Sequence, residues 1–213
     1  GLLAHQGVFK TVDGGESWFR SDEGIIEYAL MEVATNPHNY NEAWVGQDAS
    51  RGAFKTEDAG HNWRQTQIPT LHYPMRIKFS AQDSNKVYGT SWHTGGSFAA
   101  SADGGISWNL TNEQVFFDGI NRGQDMLLQT GAGWIHTHGL GVDPFDDNII
   151  YVGSVSEPNV ITRLAGSHIF KSIDEGKTWV ESDVGFPHEA KTAIHDIVVD
   201  PTDSSVIYVA TTE

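Results

Sequence analysis

The 213-residue chain lacks cysteine and has few basic residues. Without cysteine, neither a disulfide framework nor a thiolate metal site can form. Only 13 lysines and arginines stand against 28 acidic residues, which gives a formal net charge of −15. We therefore expect no basic surface that would neutralise the phosphates of nucleic acid or bind an acidic membrane.

Long hydrophobic runs are also missing. No apolar segment is long enough to span a bilayer, so no membrane insertion is expected. The chain opens on Gly1 without a methionine or a signal-peptide pattern, which predicts a mature, processed or excised piece. No long stretch places apolar residues at helical spacing. The 23 glycines and the 11% aromatic content instead favour an all-β protein of short strands and tight turns.

An eight-residue segment occurs four times, at residues 11–18, 56–63, 101–108 and 172–179. Each copy has Ser or Thr first, Asp third, Gly fifth and Trp eighth. The recurrent Asp and Trp residues are Asp13 and Trp18, Asp58 and Trp63, Asp103 and Trp108, and Asp174 and Trp179. We predict a turn in which Asp and Ser/Thr bond backbone amides, Gly takes a conformation that other residues resist, and Trp packs into the sheet. Asn62 replaces Ser/Thr at position seven, so one hydrogen bond is expected to be missing there.

A hairpin pattern recurs in phase with this segment, at residues 33–46, 77–89, 140–153 and 197–209. Four strands in about 45 residues match one blade of a β-propeller. We name the strands A to D from the inside outward, so that the eight-residue segment is the C–D turn. The predicted units are half-blade 1–20, blades at about 28–66, 73–111 and 136–182, and half-blade 194–213. The two half-blades predict either a segment of a larger propeller or a four-bladed ring closed by the N- and C-terminal strands.

The repeated segment resembles the Asp box of the BNR/Asp-box superfamily, over essentially the whole chain. That superfamily includes sialidases, sortilin-type receptor domains, xyloglucanase-type glycoside hydrolases and a photosystem assembly factor. The resemblance implies that the four box aspartates are folding elements. It also implies an exported protein, whether periplasmic, cell-surface or secreted.

The blade order places the A–B and C–D turns on one face and the D–A and B–C connections on the other. Both long insertions, 112–135 and 154–167, belong to the second face, which we predict to be functional because loops longer than a scaffold needs usually carry function. The inner strands begin there, and six residues back from each A–B turn lie Met31, Met75, His138 and His195. These positions are expected to surround the mouth of the central channel.

Three classes of candidate residue lie on this face. Two histidines at i and i+2 on a strand point to one side, so His136, His138 and His195 are candidate ligands of a divalent metal, or ordinary hydrogen-bonding residues. The candidate ligand-binding residues, which offer aromatic rings or a guanidinium group, are Tyr28, Tyr73, Arg76, Trp92, Arg122 and Trp134. The candidate catalytic acids are Glu32, Asp118, Asp125 and Asp196. The alternative for the insertion 112–135 is a loop packed on itself, and Trp44 is expected in the core.

The favoured function is a non-catalytic recognition or assembly scaffold that binds a protein or glycan on the insertion-bearing face. The alternatives are part of a glycoside hydrolase, which needs two acids roughly 5–10 Å apart, and a metal-dependent site at the histidines. The Arg-Ile-Pro signature of sialidases is absent, since residues 75–78 read Met-Arg-Ile-Lys. Remaining blades of the same protein or a partner chain are expected to cover the exposed strand edges.

Overall fold

The computed structural model describes residues 7–26, 29–47, 52–68, 74–91, 98–111, 135–156, 167–187 and 193–212. Within these ranges, all regular secondary structure is β-strand. The strands form three four-stranded antiparallel sheets and, at either end of the chain, a two-stranded sheet. This confirms the prediction of an all-β, partial β-propeller with three complete blades and two half-blades.

Each four-stranded sheet follows chain order from strand A to strand D. The N-terminal half-blade contains β1 (Phe9–Lys10) and β2 (Phe19–Arg20). The first blade contains β3 (Leu30–Thr35), β4 (Ala43–Gln47), β5 (Ala53–Thr56) and β6 (Arg64–Thr66). The second contains β7 (Pro74–Phe79), β8 (Val87–Ser91), β9 (Phe98–Ser101) and β10 (Asn109–Thr111). The third contains β11 (Ile135–Val142), β12 (Ile150–Ser156), β13 (Ile169–Ser172) and β14 (Val180–Glu181). The C-terminal half-blade contains β15 (Ala193–Val199) and β16 (Ile207–Thr212).

The two half-blades remain separate. Among the described strands, β1–β2 and β15–β16 each form a sheet of their own, without a ladder between them. The four-bladed ring closed by these strands is therefore not the arrangement that the chain adopts, and that alternative is wrong. The structure is an open arc of blades.

The core lies between neighbouring sheets. Aliphatic and aromatic side chains of adjacent blades fill these layers. Ile77 of the second blade packs with Trp44 of the first, and Leu140 of the third packs with Phe98 of the second. Ile197 of the C-terminal half-blade packs against Tyr151 of the third blade in the same way. Trp44 has no exposed surface, as expected for a core residue. Apolar burial between sheets is thus what holds successive blades together.

The outward faces of the two half-blades are uncovered. Trp18 is 62% exposed, whereas Trp63 and Trp179 are 6% and 3% exposed. Tyr208, at the other end of the arc, is 62% exposed. The prediction that each box tryptophan packs into its blade is therefore wrong for Trp18, because no earlier blade among the described residues covers it.

The A–B and C–D turns share one face, as the blade order predicts. In each complete blade a box amide donates to an A–B turn carbonyl, for example Ala59 N to Asn41 O at 2.9 Å and Gly104 N to Asn85 O at 2.8 Å. Consecutive A–B turns are also bonded to each other, since Ser80 Oγ donates to Asp147 Oδ1 at 2.6 Å. This face is a continuous network of turns, and the B–C and D–A connections lie opposite.

The box turn has the predicted hydrogen bonds. In the third copy Ser101 Oγ donates to Asp103 Oδ1 at 2.8 Å and accepts from Gly105 N at 2.8 Å. Asp103 Oδ2 accepts from Ser107 Oγ at 2.6 Å. In the second copy Asn62 Nδ2 donates to Asp58 Oδ2 at 2.8 Å, so the expectation of a missing bond there is wrong. An amide N–H replaces the hydroxyl because either group can donate to the carboxylate.

The fifth box residue is a glycine with positive φ in every copy, and in the third and fourth copies the preceding blade also touches it. Gly105 and Gly176 have φ of +85° and +82°, in the left-handed region. A Cβ at Gly105 would overlap the Trp44 ring, and one at Gly176 would overlap the Phe98 ring. Gly15 has φ of +97°, but a Cβ there would have nothing closer than Trp18, at 4.0 Å. The same backbone conformation thus occurs with and without a neighbouring blade.

Gly105→Ala and Gly15→Ala therefore separate backbone strain from inter-blade contact. We expect Gly15→Ala to lower the free energy of unfolding by about 1 kcal/mol, the cost of a left-handed alanine. Gly105→Ala should cost about 3 kcal/mol, because overpacking against Trp44 adds to the same strain. Urea denaturation measures both. Equal losses in the two variants would contradict the close approach.

The carboxylates of Asp58 and Asp103 are stabilised in the charged form. The main cause is a side-chain hydrogen bond to each carboxylate, from Asn62 to Asp58 and from Ser107 to Asp103. The hydrogen bonds of each box turn together lower the pKa of its aspartate from 3.8 to about 2. A lowered folded-state pKa contributes stability that is fully present above the unfolded value and is lost as the pH falls through the folded value. The box turns therefore favour folding until the pH approaches about 2.

Asp103→Asn tests this linkage. The variant keeps an oxygen acceptor for Ser107 N but loses the charge, so its Tm should be below that of the wild type at about pH 5. The difference should shrink as the pH falls from about 4 towards 2, because the wild-type carboxylate becomes protonated. Thermal denaturation across this range measures the difference. A gap that is independent of pH would contradict the role of the charge.

Candidate functional site

Every inner strand carries a β-bulge at the same position. The A–B register shifts between Leu30 and Glu32 in the first blade, and at the equivalent places in the other three A–B hairpins. The residues skipped in the register are Met31, Met75, His138 and His195. These are the four positions that lie six residues before the A–B turns and that the sequence places around the mouth of the central channel. Bulges re-aim side chains and are frequent beside binding sites.

A lysine joins three inner strands below the bulges. Lys78 Nζ on β7 lies 2.7 Å from Glu32 Oε1 on β3 and 3.7 Å from Asp196 Oδ1 on β15. The other oxygen of Glu32 accepts from Ile77 N at 2.8 Å. Two of the predicted catalytic acids are therefore brought together, on either side of one ammonium group.

Arg76 makes a second link to the last inner strand. Its Nε donates to the carbonyl oxygen of His195 at 3.0 Å. Asp196 in turn accepts from Ile197 N at 3.0 Å. Because Arg76 and Lys78 both reach β15, the second blade and the C-terminal half-blade are coupled through polar contacts as well as through the third blade.

The separation of Glu32 and Asp196 is compatible with glycoside hydrolysis, but their surroundings are not. Both carboxylates contact one atom, so the two contacting oxygens can be no farther apart than these two distances combined, which does not exceed the roughly 5–10 Å of paired catalytic acids. However, Lys78 Nζ contacts both acids, so it would have to leave before they could act on a scissile bond. The arrangement is an inter-blade ion network.

Two of the three candidate metal-binding histidines lie side by side. The ring centroids of His138 and His195 are 5.9 Å apart, at 51° to each other. His138 is 1% exposed. His195 Nε2 lies 3.2 Å from Thr212 Oγ1. His136 is in β11, but its side chain lies outside the described part of the chain. Within that part, neither His138 nor His195 belongs to a group of three converging metal-ligating side chains, and the predicted site stays a prediction.

The other candidates fall outside the described residues. Seven of them do so: Tyr28, Tyr73, Trp92, Asp118, Arg122, Asp125 and Trp134. The insertion 112–135 is described only at Ile135, and the insertion 154–167 only at residues 154–156 and 167. Their roles remain predictions.

A buried polar cluster in the third blade was missed by sequence reasoning. His168 Nδ1 lies 2.7 Å from Glu181 Oε1 and 3.1 Å from Asp183 Oδ2. His168 directly precedes β13, and Asp183 follows β14, so the cluster lies at the B–C and D–A end of the blade. The residues form no contiguous motif. The sequence feature that could have located this cluster is the position of Asp183. It follows its box tryptophan by four residues, as Asp22 does in the first copy.

Similarity to solved structures agrees with this fold. A GH74 enzyme from Niastella koreensis superposes with a TM-score of 0.66 at 18% identity, over 95% of this chain and 32% of that chain. The GH74 xyloglucanase from Xanthomonas campestris gives 0.67 at 12% identity, over 96% and 32%. A structure of YCF48 bound to D1 peptide gives 0.60 at 14% identity, over 97% and 55%.

These likenesses show the fold alone, and they support the β-propeller assignment. The chain spans about a third of the length of the two GH74 enzymes and about half that of YCF48. No protein-family profile and no curated protein matches the sequence. In the described ranges there is no helix long and apolar enough to cross a membrane.

Lys78→Met removes the ammonium group shared by Glu32 and Asp196. We expect a loss of about 1–2 kcal/mol in the free energy of unfolding, less than for a fully buried pair because Lys78 is 29% exposed. Lys177→Met is the control, since Lys177 is 75% exposed and 3.9 Å from its partner. It should change stability by less than about 0.5 kcal/mol. Chemical denaturation measures both, and equal effects would contradict the inter-blade role of Lys78.

Proposed function

We propose that this chain is the recognition part of a propeller and that it binds a protein partner on the face formed by the B–C and D–A connections. The observation that carries the proposal is the position of Lys78 between Glu32 and Asp196. These two acids neutralise a lysine and tie blades together, so they serve the scaffold. Their role in the scaffold favours binding over catalysis on this rim.

The two faces of the arc differ in a manner that supports this choice. On one face the box turns and the A–B turns bond to each other in every complete blade. On the other face the inner strands carry bulges at equivalent positions, with methionine in two blades and histidine in the third blade and the C-terminal half-blade. A rigid scaffold with a variable rim is the common plan of propeller binding surfaces.

A protein partner is favoured over a glycan by one comparison. The YCF48 structure shows a propeller of similar fold with a peptide bound. The net charge of −15 favours a partner segment with basic residues, because complementary charge accelerates association. Remaining blades of the same protein or a partner chain would cover the end faces at Trp18 and Tyr208. The export implied by the Asp-box resemblance is part of the same proposal.

The second candidate is part of a glycoside hydrolase. The likeness to GH74 enzymes and the short separation of Glu32 and Asp196 favour it. It would require that Lys78 leave the space between the acids, or that other carboxylates perform the reaction. Asp118 and Asp125 are the remaining candidates in this sequence.

Binding and hydrolysis assays on the same protein separate the two functions. We expect a basic peptide array to give ligands, while xyloglucan is not hydrolysed. Arg76→Glu should strengthen the binding of a basic peptide by about threefold or more, since it makes the inner rim more acidic. Lys177→Glu makes the same charge change at a box turn and should leave binding unchanged. Titration calorimetry with the best peptide provides the measurement.

Two results would overturn the proposal. One is hydrolysis of xyloglucan that is lost in Glu32→Gln or Asp196→Asn, which would assign these acids to catalysis. The other is peptide binding that Lys177→Glu strengthens as much as Arg76→Glu does. Circular dichroism of each variant shows that the blades are intact.

A further inference from the structure

We propose that His168, Glu181 and Asp183 form a binding site for a divalent transition-metal ion, with zinc as its best representative. One atom from each side chain lies within 4.8 Å of the other two. The site is independent of the peptide-binding function proposed above. It is also distinct from the histidines of the inner strands, because it lies between the outer strands β13 and β14.

The donor atoms are close to the spacing that a metal ion requires. Ligands of a tetrahedral zinc ion lie about 3.4 Å from each other when each bond is about 2.1 Å long. His168 Nδ1 is 2.7 Å from Glu181 Oε1 and 3.1 Å from Asp183 Oδ2. Entry of an ion would need these two distances to lengthen by about 0.7 Å and about 0.3 Å. Both carboxylate oxygens already approach the same imidazole nitrogen, one from the end of β14 and one from two residues beyond it.

Burial makes the charge of this cluster significant. The side chains of His168, Asp183 and Glu181 are 3%, 7% and 19% exposed. Two carboxylate oxygens face one imidazole nitrogen. A divalent ion bound by a neutral imidazole would balance both carboxylates, and buried charges are stable when they are paired or bind a metal.

The scaffold itself does not require these residues. At the position of His168, six residues before the box aspartate, the first two box copies have Gly7 and Gly52. At the position of Glu181 the first copy has Arg20, whose Nε pairs with Asp22 Oδ2 at 2.5 Å. The third blade thus keeps the aspartate of this arrangement, Asp183, but replaces its cation by a second acid and adds an imidazole.

Backbone contacts hold the ligands in place. His168 N donates to Ser154 Oγ at 3.0 Å, and Ile169 N lies 3.4 Å from Asp183 Oδ2. Contacts of this outer-sphere kind orient metal ligands. The mixture of one nitrogen and two carboxylate oxygens suits zinc better than calcium or magnesium, which favour sites made of oxygen alone.

Zinc titration of the chelator-treated full chain tests the site. We expect one zinc ion to bind per chain and calcium not to compete. His168→Gln and Asp183→Asn should each weaken zinc binding by about tenfold or more. His61→Gln, which removes an exposed imidazole from a box turn, is the matched control and should bind zinc like the wild type. Cobalt loaded in place of zinc should give the visible absorption of a nitrogen- and oxygen-ligated ion, and His168→Gln should change it.

The proposal is overturned if the wild type binds no zinc at millimolar concentration. It is also overturned if His168→Gln binds zinc as the wild type does, or if only a change at His195 abolishes binding, which would move the ion to the inner strands. Circular dichroism reports whether each variant folds. If His168→Gln does not fold, Asp183→Asn and the cobalt spectrum of the wild type still decide the question.

Discussion

The structure depends on the close approach of each box turn to the blade before it. Gly105 lies against Trp44, and Gly176 lies against Phe98, at distances that no side chain at the glycine would permit. These contacts set how near neighbouring sheets can come, and hence how completely the apolar layers between them are buried. The aspartate of the box has a supporting role, since its hydrogen bonds hold the turn in the shape that presents the glycine.

Much of this fold follows from the sequence because the repeat is strong. Asp, Gly and Trp at fixed spacing define the C–D turns, and the hairpins in phase with them define strands A and B. The failures have physical reasons. Trp18 has the box pattern but no preceding blade among the described residues, and the burial of a side chain depends on what lies beside it. Asn62 was expected to lose a bond that its amide in fact makes.

The site was less predictable than the fold. The repeat period correctly grouped Met31, Met75, His138 and His195, because any feature in phase with the turns recurs in each blade. It could not show that Lys78 lies between Glu32 and Asp196, since these residues meet only when the arc curves. Nor could it reveal His168 with Glu181 and Asp183, whose strands pair side by side and bring distant positions together. Contacts between non-local residues carry no local signature.

The exposure of Trp18 and Tyr208 has a thermodynamic meaning for the arc as a whole. Each sheet buries its apolar surface mainly against its immediate neighbours, as the repeats of a solenoid do, so cooperativity is passed along the chain from sheet to sheet. The interior sheets have two neighbours, and each terminal sheet has one. Amide protons of β1, β2 and β16 should consequently exchange with solvent through local fraying, while those of β8 and β12 open only when the arc unfolds.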